Sequence, residues 1–66
     1  MFRLEIIRLD TGKEPDIILN DQLTAMLMFD KARSITEKAA CTSDPIAVIN
    51  LYSEQAGLMG HWQLYP

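Results

Sequence analysis

The chain has 66 residues, 48% of them hydrophobic and 23% charged, and its nine acidic against six basic side chains give a formal charge of -3 at pH 7. That length suits one domain with one core and marginal stability, because a chain of about 60 residues buries only roughly 60% of its unfolded surface. The composition is close to the globular average and gives no reason to expect disorder, no apolar stretch approaches the roughly 18 residues that cross a bilayer, and the negative balance opposes a generic attraction to phosphate backbones or anionic membranes.

Phe2, Leu4 and Ile6 alternate with Arg3 and Glu5, which predicts a half-buried strand over residues 2–9. The polar run Asp10, Thr11, Gly12, Lys13 reads as a tight turn, and Ile17, Ile18 and Leu19, after Pro15, read as a short second strand. An even-length loop would pair Ile6 with Ile17 and Leu4 with Leu19, all on one face of a hairpin.

Asn20 or Asp21 is placed to cap a helix predicted over residues 21–40. Ala25, Met28, Phe29, Ala32, Ile35 and Ala39 recur at spacings of three and four and form its inward stripe, while Asp30, Arg33, Glu37 and Lys38 fall mostly outside it. Arg33 and Glu37, one turn apart, can form an ion pair. The helix is expected to stop over residues 42–45, since Pro45 disfavours helical geometry in the residue before it.

Residues 46–53 are rich in β-branched and aromatic side chains and predict a third strand; residues 54–57 read as a turn, and residues 58–65 alternate as a fourth strand. An even loop sets Ile49 and Leu51 beside Trp62 and Leu64. A three-residue loop with a left-handed Gly57 puts Val48 and Asn50 there instead. The even loop is preferred because it keeps Asn50 out of the core. The fold class is therefore α+β in a ββαββ layout: a four-stranded antiparallel sheet with one long helix on one face, in a single domain over residues 1–66. Its core is expected to hold Phe2, Leu4, Ile6, Ile17, Leu19, Ala25, Met28, Phe29, Ala32, Ile35, Ile49, Leu51, Trp62 and Leu64.

Little in the chain points to chemistry. His61 is the only histidine, and its strand neighbours Met59 and Gln63 supply neither a nucleophile nor an orienting carboxylate. Cys41, the only cysteine, sits near a helix C-terminus, where the dipole disfavours a thiolate, so it reads as a small packing residue. His61 and Cys41 lie too far apart to share a zinc ion. Asp10, Glu14 and Asp16 gather around the first turn in the manner of a solvated turn, and Gly12, Gly57 and Gly60 are too scattered to cradle a phosphate. No catalytic residue, metal site, cofactor or small-molecule ligand is expected, and no motif points to a family.

With a single cysteine no internal disulfide can form, whereas small domains of oxidising compartments usually carry several, so a cytoplasmic location is expected. Met1 leads into a strand pattern without a basic and apolar leader, which suggests a complete short reading frame of bacterial or phage type.

Two features stand out. Met26, Leu27, Met28 and Phe29 are four consecutive apolar residues, and one stripe cannot bury them all, so Met26 or Leu27 is left at a margin. The sheet face away from the helix is expected to carry Ile7, Leu9, Val48, Tyr52, Met59, His61 and Tyr65, a group of the kind found at interfaces. These nine positions make a protein partner, or a homodimer through the open sheet face, the expected mode of action of a small non-enzymatic protein. The alternative is a single-stranded nucleic-acid-binding module stacking bases on Tyr52, His61 and Tyr65; the dispersed Arg3, Arg8, Lys13, Lys31, Arg33 and Lys38 argue against it.

Overall fold

A computed structural model describes residues 1–38 and 44–64 of the chain. Strands β1 (Phe2–Arg8), β2 (Gly12–Lys13) and β3 (Ile17–Leu19) precede helix α1 (Gln22–Lys38), and β4 (Ile46–Ser53) and β5 (Gly57–Gln63) follow it. All pairings are antiparallel, in the order β2-β1-β4-β5, with β3 also on β1. The ββαββ layout is present, with its second strand divided in two.

The division lies at residues 14–16. Glu14 still donates its N–H to the Ile6 carbonyl at 2.9 Å, but Pro15 has no N–H to give. Before the break Ile7 opposes Lys13 and Arg8 opposes Gly12; after it Leu4 opposes Ile17 and Phe2 opposes Leu19. The expected pairs Ile6–Ile17 and Leu4–Leu19 are thus displaced by two residues. An even displacement keeps each side chain on its face, so Ile17 and Leu19 still pack against the core.

At the second hairpin the even loop is overturned. Residues 54–56 form a three-residue turn closed by Gly57 at φ 78°, and the Ser53 hydroxyl oxygen accepts the N–H groups of Gln55 and Ala56, both at 3.2 Å. Alone, that loop would send Asn50 toward the helix. Ser53 opposes Gly57 and Tyr52 opposes Leu58, but Leu51 then opposes Gly60, so Met59 is an extra residue in β5. This bulge cancels the odd loop, and Ile49 opposes Trp62 as expected, with Asn50 on the far side beside His61.

Asp21 is the cap of α1: its carboxylate accepts the Thr24 N–H at 2.8 Å and the Thr24 hydroxyl at 3.0 Å, and these bonds hold its pKa below the usual carboxylate value. The inward stripe runs through Ala25, Phe29, Ala32 and Thr36, with Met28 alongside. Ile35 was expected in the core and is instead 53% exposed, whereas Thr36 is 3% exposed. At about 100° per residue, Ile35 lies roughly 80° off the line through Ala25 and Thr36 only about 20° off it. The Thr36 hydroxyl meets its buried hydrogen-bond requirement by donating to the Ala32 carbonyl at 2.8 Å. Arg33 contacts Asp30 at 3.6 Å; the side chain of Glu37, its expected partner, and the expected helix continuation through Ala39 and Ala40 lie outside the described residues, as do Cys41, Thr42, Ser43 and Tyr65.

Leu4, Ala25, Ile49 and Leu51 form the fully buried centre, ringed by Phe2, Ile6, Ile17, Leu19, Met28, Phe29, Ala32, Ile46 and Trp62. Leu64, also expected in the core, is half-buried outside that ring, its N–H bonded to the Ala47 carbonyl at 2.8 Å. Gly60 leaves room for the helix against β5: a Cβ there would stand 3.3 Å from the Phe29 ring.

Candidate functional site

Alternation along β1 sends Arg3, Glu5 and Ile7 to the face opposite α1, and the β4 register brings Tyr52, Asn50 and Val48 beside them in that order. The face is less apolar than the alternating pattern suggests. Glu5 lies 3.8 Å from Arg3 and 3.4 Å from Lys13, and Asp16 lies 3.4 Å from each of those cations. The Asp16 Oδ1 atom is buried without a hydrogen bond among the described residues and faces the Lys13 ammonium at 3.4 Å, while its Oδ2 accepts a hydrogen bond from Arg3. The Arg3 guanidinium also stands over the Tyr52 ring, 4.4 Å from its centroid.

The network continues across the sheet. Asn50 donates from Nδ2 to Glu5 at 2.9 Å, its Oδ1 meets His61 Nδ1 at 2.6 Å, and His61 Nε2 meets the Gln63 side chain at 3.2 Å. A carboxylate only accepts, so Glu5 sets the Asn50 amide with its oxygen toward His61, and His61 Nδ1 carries the proton. The Asn50 hydrogen bond is the largest influence on Glu5 and, with the Lys13 ammonium, outweighs desolvation to hold its carboxyl below the usual range; Lys13 is raised in turn, chiefly by Glu5 and then Asp16.

This arrangement orients an imidazole through an amide to a carboxylate, a link the sequence reading did not foresee because Glu5 is 45 residues from Asn50. Among the described residues His61 bonds only Asn50 and Gln63, so no nucleophile is aligned with it. No group of three or more His, Cys, Asp or Glu side chains among the described residues could hold a metal ion. The acidic trio of the first turn is divided: Glu14 binds Arg8 at 2.9 Å, Asp16 joins the network, and Asp10 gives its N–H to Asp44 at 2.9 Å. Asp44 also accepts the Thr11 hydroxyl at 2.8 Å, and the Asp10 N–H is the largest influence lowering its pKa.

The expected interface residues fall into separate groups. Ile7, Val48, Tyr52 and His61 share the open face, the first three half-buried and His61 exposed. Leu9 lies beyond β1 in the turn and is 48% exposed. Met59 is a correction: its bulge turns it to the helix side, where it lines a hollow of about 200 Å³ with Met26, Phe29, Asp30, Leu51 and Gly60. Leu58 takes the position opposite Tyr52.

Met26 and Leu27 are at the margin, 47% and 59% exposed, beside Leu23 at 67%. Residues at i, i+3 and i+4 share a helix face, so Leu23, Met26 and Leu27 make one apolar stripe on the first half of α1, and the hollow joins it to Met59. Sequence reading found Met26 and Leu27 from their crowding but not Leu23, which lies outside the apolar run. No helix among the described residues is long and apolar enough to cross a membrane. Comparisons with family models, curated proteins and solved structures find no match to the chain.

Proposed function

We propose that this chain is a small non-enzymatic interaction protein that engages a protein partner through the exposed stripe of α1. The observation that carries this reading is the clustering of Leu23, Met26 and Leu27, each at least 47% exposed, next to Met59 at 37%. Contiguous apolar surface is the usual mark of a protein contact, and methionine suits it because its unbranched thioether adapts to a partner's shape. A helix presenting apolar residues at i, i+3 and i+4 also matches a common recognition mode, in which such residues fill a partner's groove.

The open sheet face supports this role less well. Its cations are already paired with Glu5 and Asp16, and the Tyr52 ring carries the Arg3 guanidinium. The same two facts weigh against base stacking, which needs a free aromatic face and unpaired positive charge.

The test is a pull-down from the native host with the wild-type chain and Leu27→Glu. Leu27 projects away from the core, so the variant is expected to fold, as circular dichroism will report, and to lose the protein that the wild type captures. Capture of the same protein by both would sink the reading.

A further inference from the structure

β5 is an outermost strand, and its free edge pairs with no strand among the described residues. The Leu64 N–H bond to Ala47 sets its alternation: in the same register Trp62 and Gly60 face β4, so the N–H and C=O of His61 and Gln63 point outward. The opposite edge is guarded by Lys13, Pro15, Asp16 and the break at residues 14–16, devices that deter edge-to-edge pairing. Gly57–Gln63 contains no Asp, Glu, Lys, Arg or Pro. Among the described residues only the bulge at Met59 blunts it, leaving residues 60–63 regular. Cover from above is thin as well: α1 packs on β1, β3 and β4 and meets β5 through Phe29 at Gly60, leaving Trp62 half-buried.

We propose that β5 pairs antiparallel with β5 of a second copy about a two-fold axis through Trp62, joining the two sheets into one. This register brings the outward groups of His61 onto those of Gln63 in the other copy, and the reverse, so each such pair exchanges both backbone hydrogen bonds. Trp62 then opposes its own counterpart in the non-hydrogen-bonded position, where side chains approach most closely and aromatic pairs are favourable.

A second copy fits because the strand is uncharged in a chain of net charge -3, so self-apposition here brings no like charges together, and because the half-buried indole meets an identical apolar surface. Standard interfaces take roughly 800 Å² from each partner, and the described surface totals 4494 Å². A pairing of residues 60–63 with its flanking side chains sits at the small end of that range, so the dimer is expected to dissociate on dilution. The proposal goes beyond the α1 docking reading and does not depend on it.

Sedimentation velocity across a concentration series, on the purified chain alone, is expected to show a monomer–dimer equilibrium. In concentrated samples the His61 and Gln63 amides should resist hydrogen exchange; on dilution they should exchange freely while the Trp62 amide stays protected by β4. His61→Pro removes an outward N–H without breaking the β4 ladder, and since symmetry deletes the bond twice it should weaken association roughly tenfold or more. A chain that stays monomeric throughout, or a dimer whose His61 and Gln63 amides exchange as freely as when diluted, would overturn the proposal. If His61→Pro does not fold, the wild-type exchange pattern decides alone. Failure here leaves the α1 stripe untouched, because that stripe is tested by Leu27→Glu against a different protein.

Discussion

On the helix side of the sheet Leu4, Ile49 and Leu51 are no more than 2% exposed beneath α1, while on the other side Ile7 and Val48 are half-buried among Arg3, Glu5, Lys13, Asn50 and His61 with no element above them among the described residues. One face is shielded by a separate layer of apolar packing. The other is lined by its own long polar side chains, whose stems lie along the sheet while their charges meet each other. Alternation of residue types locates both faces but does not tell how the second is closed. That depends on pairs such as Glu5 with Asn50 and Lys13 with Asp16, which no periodicity reports.

If the faces differ in this way, truncating a β-branched side chain on each should give losses that differ by more than the roughly 0.8 kcal/mol of the one methylene separating isoleucine from valine. Ile49→Ala removes a side chain of 0% exposure and is expected to cost about 2 to 5 kcal/mol, comparable to the whole stability of a domain this small. Val48→Ala, one residue along on the half-buried side, should cost about 1.5 kcal/mol or less. Urea unfolding followed by circular dichroism measures both. Equal losses would mean that the open face is packed like a core, and the contrast would fail.

The network itself is tested at Glu5, whose side chain is 15% exposed. Glu5→Ala leaves the Asn50 amide without its acceptor and Lys13 with Asp16 alone, and should cost about 1 to 3 kcal/mol. Glu5 is held below the usual carboxylate range, so the unfolded chain binds more protons there than the folded one. Its contribution is therefore fully present above the usual carboxylate pKa and is lost as pH falls through and below it. Asp21 and Asp44 are lowered too and lose stability in the same direction. Glu5→Gln should consequently unfold with a shallower acid dependence than the wild type, and an unchanged dependence would remove Glu5 from the account. A smaller loss, about 1 to 2 kcal/mol, is expected for Gly57→Ala, because its φ of 78° is costly for any residue with a Cβ; no loss would restore the even loop.

The element order, the cap at Asp21 and the inward faces of β1 and β4 were legible in the sequence because each rests on local periodicity or on one residue's chemistry. Register was not. Both hairpins carry an unforeseen irregularity, residues 14–16 in one and Met59 in the other, and both shifts end up preserving the faces, so the core was found with the wrong loops. Ile35 was misplaced because spacings of three and four tolerate drift over ten residues, whereas the helix does not. Among surface sites Met26 and Leu27 were visible as crowding, while the Arg3–Glu5–Lys13–Asp16 cluster, which hangs on the register of the first hairpin, was not.

The smallest effect concerns the contact between Arg3 and Tyr52. The guanidinium stands 4.4 Å from the ring centroid, so the attraction resides in the ring and not in the hydroxyl. Tyr52→Phe should therefore keep it, and Tyr52→Leu should lose it at about 0.5 to 1 kcal/mol, the range for such contacts near the surface. In a domain of this size that corresponds to a fall in Tm of a few degrees. The comparison of Phe with Leu separates the two accounts of the open face, because leucine offers apolar surface without a quadrupole. If the face is held by its charges, the phenylalanine variant will be the more stable and the gap will close on Arg3→Met, which removes the cation but keeps a long apolar stem. If leucine matches phenylalanine in the presence of Arg3, position 52 contributes only apolar surface, and the face is the plain hydrophobic one that alternation first suggested.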